Sequence, residues 1–263
     1  FPDIIPEVAN WKGIRLQELY RAEYFEEMFH NIPLLEDTKQ LFFALAASPR
    51  FRNVRIMGYT EQFDLTTEKQ FSAVTFQIQP NLYYIAFRGT DSTLIGWKED
   101  FNMSFMQNIP SQLEAVKYLN EIGSRYIGKI IVGGHSKGGN LAVYASMFCK
   151  KRIQNKIVDI INADGPGFDE TVFNTENYIK ILDKVNTYIP QSSIIGRLLE
   201  HDEDYEIIHS TQKGIMQHDI YSWEVLGTKI VRSKEITKET IKELEEKVLN
   251  LLYKLEKLKK LIE

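Results

Sequence analysis

The residues from Lys129 to Ala145, K-I-I-V-G-G-H-S-K-G-G-N-L-A-V-Y-A, constrain the fold more than any other stretch of this chain. They begin with Ile130-Ile131-Val132, a β-branched run suited to a strand buried on both faces. They end in Asn140-Leu-Ala-Val-Tyr-Ala, which has helix-forming composition and apolar residues at helical spacing. Between them lies Gly134-His135-Ser136-Lys137-Gly138, a G-x-S-x-G sequence in the strand-turn-helix setting of a nucleophile elbow. Such a turn holds its serine in a strained backbone conformation, and a Cβ two residues to either side would collide with the strand or helix. Glycine at 134 and 138 removes that collision and leaves Ser136 Oγ standing above the sheet. The backbone N–H of Lys137, at the start of the helix, then points where an oxyanion forms. At ordinary Gly and Ser frequencies a chain of this length holds roughly 0.1 chance copies of the pattern. Ser136 is therefore read as a nucleophile rather than as part of a packing turn.

Composition narrows the classes. With 263 residues and 43% hydrophobic content, the chain can bury a core as one domain. Net charge is −4 and Lys and Arg are scattered, so no basic face points to nucleic acid. Cys149 is the sole cysteine, which excludes an internal disulfide and a thiolate metal site and fits a reducing compartment. The longest apolar runs, such as Leu41 to Ala47, are too short to span a bilayer, and no secretory signal is visible. A cytoplasmic location is expected, although the chain begins at Phe1 rather than Met and its native N-terminus is left open. No metal or other cofactor is expected, and no phosphate loop appears, since the glycines around Ser136 lack the G-x-x-x-x-G-K-[ST] pattern.

Along the chain, Lys12 to His30 reads as a helix and a second helix runs from about Asp37 to Ala47, before Ser48-Pro49. Val54 to Thr60, Phe71 to Ile78 and Leu82 to Phe87 read as strands, the last two forming an antiparallel hairpin across Gln79-Pro80-Asn81. Ser111 to Tyr126 is an amphipathic helix. From Lys129 strands at 130–134, 157–163, 184–189 and 205–210 alternate with helices at 137–150, 169–182 and 192–200, and the last strand leads into a loop holding His218. The alternation implies parallel strands with helices on both faces. An α/β-hydrolase architecture is expected, with an antiparallel front half and a parallel back half, in residues 1–232 with a helical segment at 1–50.

A second informative stretch is Ile85 to Phe105, I-A-F-R-G-T-D-S-T-L-I-G-W-K-E-D-F-N-M-S-F. Arg88-Gly89-Thr90 leaves the carboxyl end of a strand, the edge where α/β sheets place ligands. A serine nucleophile needs a second oxyanion donor besides the Lys137 N–H, and Thr90 offers its N–H and its hydroxyl there. Together, F-R-G-T-D, G-W-K-E-D-F and G-H-S-K-G-G-N-L-A resemble the motifs of the class 3 (fungal-type) triacylglycerol lipases. More closely, the chain resembles a bacterial lipase-like family of unknown function that shares G-H-S-K-G-G-N and the D-G-P-G-F segment, here Asp164 to Phe168. The resemblance spans roughly Phe71 to Val225. It implies an α/β-hydrolase fold, ester hydrolysis with Ser136 as nucleophile, an oxyanion hole from Thr90 and Lys137, and Asp91 to Trp97 in the place of a lid. Lys137 departs from the apolar residue common after the lipase nucleophile and puts a charge near the site, which weakens the case for a purely fatty substrate.

The base must be a histidine that can accept the serine's proton near neutral pH. Of five, His30 lies outside the hydrolase motifs, His135 should point away from the neighbouring serine, and His201 and His209 flank or sit within a strand. His218, in the loop after the last strand, follows Ser136 in the order this chemistry demands, with Gly214 giving the loop freedom to bend. The acid is less direct. Class 3 lipases place it in a D-x-V-P setting whose equivalent here, Thr187-Tyr188-Ile189-Pro190, carries threonine instead. Asp164, which follows the next strand after the elbow as in pancreatic-type lipases, is favoured over Asp202 or Asp204; its competing role is to cap the Gly165-Pro166-Gly167 turn.

Leu94, Ile95 and Trp97 follow the oxyanion loop closely and are assigned to substrate binding, favouring esters of modest to medium acyl chains. Residues 233–263 differ in character. Ile241, Leu244, Val248, Leu251, Leu255, Leu258 and Ile262 repeat at spacings of three and four, a heptad seam that would serve homo-oligomerisation or lie along the domain's own surface. Two functions of different class follow: a serine esterase or lipase-like hydrolase acting on a small-molecule or lipid acyl ester, or a weak or inactive hydrolase-fold scaffold associating through the tail. Acyl transfer, thioester or peptide cleavage uses the same machinery, since leaving group and acceptor are not written in a triad.

Overall fold

Side-chain alternation along one strand, Lys69–Gln79, divides the molecule into two layers of core. Phe71 and Ala73 enter one buried cluster, while Val74 and Phe76 on the opposite face pack against another. The structure, a computed structural model, describes residues 3–30, 32, 34–67, 69–89, 108–193 and 195–233. The strands of its main sheet are β1 (Ile14–Arg15), β2 (Arg55–Asp64), β3 (Lys69–Gln79), β4 (Leu82–Phe87), β5 (Lys129–His135), β6 (Ile157–Ala163), β7 (Val185–Pro190) and β8 (Tyr205–Ile208). Among the described residues they lie side by side in chain order. Pairing is antiparallel from β1 to β4 and parallel from β4 to β8. This is the mixed sheet of an α/β-hydrolase, antiparallel in front and parallel behind.

Helices α1 (Phe25–Met28) and α2 (Leu35–Ala47) belong to the N-terminal side; α3 (Pro110–Arg125) precedes β5 and α4 (Lys137–Phe148) follows it. Consecutive parallel strands are joined by right-handed crossovers, and in a sheet ordered by sequence these deliver α3 and α4 to the same face. Leu119 and Ile122 of α3 meet Leu141 and Ala145 of α4 there, over Ile85 and Val132. The other face of the β2–β3 hairpin is covered by the N-terminal region, where Phe29 and Ala46 pack with Ile56.

The expected helix over Lys12 to His30 is not formed. The segment instead makes β1, 3-10 turns at Leu16–Leu19 and Ala22–Tyr24, and the single turn of α1. Its apolar residues serve a sheet edge and an aromatic cluster of Tyr20, Phe25, Phe29, Phe42 and Phe43, so burial is met without helical continuity. Similarly, the helix expected over 169–182 is broken into a 3-10 turn at Glu170–Val172, one α turn at Glu176–Ile179 and a 3-10 turn at Leu182–Lys184. Asp169 and Thr175 each cap a new turn by accepting a backbone N–H, which restarts the chain. The helix expected over 192–200 is reduced to a 3-10 turn at Ile195–Arg197. The seam at 235–263 and the lid-like stretch 91–97 lie outside the described residues.

A buried carboxylate ties the segment after β7 to the core. Glu203 accepts from Thr187 Oγ1 at 2.6 Å, from Tyr178 Oη at 2.8 Å and pairs with His201 Nδ1 at 2.9 Å. Burial alone would raise its pKa, but hydrogen bonds from and attraction to His201, with the two hydroxyls, hold it at about 2. The folded value lies below the ordinary 4.5, so this contribution to stability is complete above pH 4.5 and is lost as pH falls towards 2. Glu203→Gln leaves one acceptor oxygen for three donors and should destabilise the fold by about 3 kcal/mol at neutral pH. Urea titrations across the pH range should show that difference shrinking below pH 4.5; a difference independent of pH would reject the assignment.

Candidate active site

Ser136 caps the N-terminus of α4 with φ 58° and ψ −133°, a left-handed conformation rare for a residue with a Cβ. Three contacts hold it there. Its N–H donates to the Ala163 carbonyl of β6 at 2.9 Å, and its own carbonyl accepts from Gly139 at 2.8 Å. Gly134 and Gly138 press against each other, since a Cβ on Gly134 would lie 2.4 Å from the Gly138 carbonyl and one on Gly138 would lie 2.2 Å from the Phe87 carbonyl. The end of β4 closes on the same turn: a Cβ on Gly89 would come within 2.7 Å of the His135 carbonyl and 3.2 Å of Ser136 Cβ. The loop leading to residue 90 thus starts against the serine. The Lys137 N–H, in the first turn of α4, has no acceptor within the helix.

Asp164 follows β6, is fully buried and has φ 51°. Its N–H is held by the Tyr188 carbonyl of β7 at 2.8 Å. Its Oδ1 accepts from Ser193 Oγ at 2.5 Å and from the Gly196 N–H at 3.1 Å. Its Oδ2 takes the remaining partner, His218 Nδ1, at 2.7 Å. A carboxylate whose every oxygen is occupied this way fixes the imidazole tautomer, with the proton on Nδ1 and Nε2 free to accept another. His218 ends a 3-10 turn, Gly214–His218, and keeps a quarter of its side chain exposed beside a carboxylate that has none.

The segment Asp164 to Phe168 is braced from α4. Asn140 Nδ2 donates to the carbonyls of Pro166 at 3.1 Å and Gly167 at 3.0 Å, while its Oδ1 accepts from Gln112 of α3 at 2.9 Å. The asparagine of G-H-S-K-G-G-N is therefore the residue that reads the D-G-P-G-F turn.

Of the residues singled out from the sequence, Ser136 and Asp164 follow the neighbouring strands β5 and β6 at their carboxyl ends, and His218 reaches Asp164 from the turn after β8. Asp202 and Asp204 are exposed, and the buried carboxylate between them, Glu203, belongs to the core network. Thr187, at the lipase acid position, donates inward to Glu203. Lys137 requires a correction. Its side chain is only 1% exposed and its ammonium donates to the Gln70 carbonyl on β3 at 3.0 Å, so its charge is directed into the fold rather than towards a cleft. The His135 ring lies beside that of His218, with centroids 4.5 Å apart and planes tilted by 34°. Thr90, Leu94, Ile95 and Trp97 lie outside the described residues. Sequence reasoning missed Ser193 and Gly196, which hold the Asp164 carboxylate; no motif marks them, because their spacing matters only once β7 and β6 are adjacent.

Among the described residues no group of three or more His, Cys, Asp or Glu side chains could hold a metal ion, and no helix is long and apolar enough to cross a membrane. Solved structures similar to this chain include M37 lipase, at 19% identity over 69% of this chain and 68% of that one, with a TM-score of 0.45. A fungal lipase-inhibitor complex is 12% identical over 73% of this chain and 76% of that one, with a TM-score of 0.47. A Rhizomucor miehei lipase propeptide complex is 14% identical over 78% and 79%, with a TM-score of 0.46. These scores mark a loose likeness, and the architecture rests on the strand order and the elbow described above. No curated protein matches the sequence. The Mbeg1-like family matches residues 45–262, most of the chain and all of the elements that build the elbow, and the chain belongs to that lipase-like family.

Proposed function

We propose that this protein is a serine carboxylic-ester hydrolase. The observation that carries the reading is the Asp164–His218 hydrogen bond of 2.7 Å, formed between residues 54 apart in sequence and next to a serine held at positive φ. Two strained residues, 136 and 164, at adjacent strand ends are the kind of local cost that persists where chemistry needs it.

In this reading Ser136 Oγ attacks the ester carbonyl as its proton passes to His218 Nε2. The oxyanion is held by the backbone N–H groups of Lys137 and Thr90. Collapse of the tetrahedral species breaks the bond to the alcohol oxygen, which leaves with the proton from His218. Water, deprotonated by the same imidazole, then attacks the acyl-enzyme and releases the acid, restoring the serine. Asp164 stays ionised and stabilises the imidazolium. The acyl chain is assigned to Leu94, Ile95 and Trp97, and the buried Lys137 ammonium removes the earlier argument against a fatty acyl group. The scaffold alternative drew on the threonine at 187, and a carboxylate reaching His218 from residue 164 takes away that ground. The heptad seam at 235–263 supports self-association alongside the chemistry.

Three measurements test the reading. A fluorophosphonate should label the intact chain covalently, and Ser136→Ala should abolish labelling and lower turnover of p-nitrophenyl butyrate by about 10⁶-fold; an unlabelled intact chain would sink the proposal. Asp164→Asn should reduce kcat by about 10⁴-fold while Asp202→Asn leaves it unchanged, and equal activity in both would remove Asp164 from the site. Sedimentation should give a dimer or higher oligomer for the intact chain and a monomer for Leu251→Glu with Leu255→Glu, whereas a monomeric intact chain rejects association through the tail.

A further inference from the structure

Nothing in the Asp164 contact alone stops the His218 imidazole from swinging. One hydrogen bond to Nδ1 leaves rotation about that bond free, and the turn that carries the ring begins at Gly214, whose positive φ is set in open space. Two contacts restrain the backbone. Trp223 Nε1 donates to the Gln217 carbonyl at 2.9 Å, and His135 Nε2 lies 2.7 Å from the His218 carbonyl. Among these residues His135 alone also meets the catalytic ring itself, with centroids 4.5 Å apart and planes tilted by 34°. Trp223 lies edge-on to His135, with ring centroids 6.4 Å apart.

We propose that His135 is a positioning residue, which ties the His218 carbonyl with its Nε2–H and backs the His218 imidazole with its ring. The catalytic consequence rests on the serine-hydrolase reading above, whereas the tie itself does not. A carbonyl can only accept, so the contact requires the proton on His135 Nε2. His135 must also be neutral, because a second cation stacked on His218 would oppose the imidazolium that forms when Ser136 reacts. Burial, then the neighbouring His218, push its pKa down to about 4, against the pull of the His218 carbonyl, Asp164 and Asp219, which are the groups facing it. A neutral ring stacked on an imidazolium instead offers it a π face. The position before the nucleophile thus has a use: β5 ends in a residue on the same side of the sheet as the incoming loop, and places the base relative to the serine through one rigid strand.

The test separates the donor from the ring. His135→Phe keeps an aromatic face and removes the N–H; His135→Gln keeps a donor of similar reach and removes the ring. With p-nitrophenyl butyrate, His135→Phe should lower kcat by about 10²-fold, the usual effect of misplacing a reacting group by an ångström, with KM changed less than about threefold. His135→Gln should recover part of that loss. Independently of turnover, the low-field proton resonance of the Asp164–His218 hydrogen bond should be present in the intact protein, absent in Asp164→Asn, broadened or displaced in His135→Phe and restored in His135→Gln. Unchanged kcat and an unmoved resonance in a folded His135→Phe would overturn the proposal. Equal losses in both variants together with a collapsed Tm would also overturn it, reducing His135 to a packing role. An intact protein without esterase activity, whose resonance still moves in His135→Phe, would leave the tie standing and defeat the hydrolase reading instead.

Discussion

The backbone at Ser136 is the constraint from which the rest of the site follows. A residue with a Cβ held at positive φ costs on the order of 1–3 kcal/mol, and it persists only where its surroundings leave the chain no alternative. Here the surroundings are the strand it leaves, the helix it starts and the end of β4, all in backbone-to-backbone contact through Gly134, Gly138 and Phe87. Because those contacts are made by main chain, the turn tolerates no side chain at either glycine. The same closeness brings Gly89, at the end of β4, against His135 and Ser136, so the serine and the start of the following loop are positioned by one set of contacts.

Asp164 is supported by a different kind of constraint. Asp164 is buried without a cation of its own, and an isolated buried carboxylate would be unstable. Ser193, the Gly196 N–H and His218 occupy both of its oxygens, so its burial depends on the segment after β7 and the turn before residue 219. The turn after Asp164 is anchored by Asn140, which spans from α4 to the Pro166 and Gly167 carbonyls, and the segment after β7 by Glu203, which gathers Thr187, Tyr178 and His201. These buried polar contacts thus brace the segments that bring Asp164 and His218 together.

His135 and Lys137, flanking the serine, have opposite fates for a geometric reason. Residue 135 is the last of a strand and points to one face of the sheet, where the loop bearing His218 crosses. Residue 137 is the first of a helix, and its side chain turns back under β3 to reach the Gln70 carbonyl. A charge that looks, in the sequence, as if it belonged to the cleft is used instead inside the fold.

The strands β4 and β6, the hairpin between β3 and β4, the parallel back half and the elbow itself were legible from residue order alone, because each depends on local patterns: alternation, β-branched runs and glycines at fixed spacing. The helices at 12–30 and 169–182 were misread for the same reason, since local apolar periodicity cannot say that Asp169 and Thr175 will restart the chain or that residues 14–15 will join a sheet edge. The sequence by itself determined where a strained serine could stand and which histidine followed it in order. Only the tertiary structure decided that Asp164, not Asp202 or Asp204, meets His218, that Glu203 gathers Thr187, Tyr178 and His201 in the core, and that the His135 ring lies beside that of His218. Those choices depend on which strand ends lie side by side, and a distance through space is not carried by any spacing along the chain.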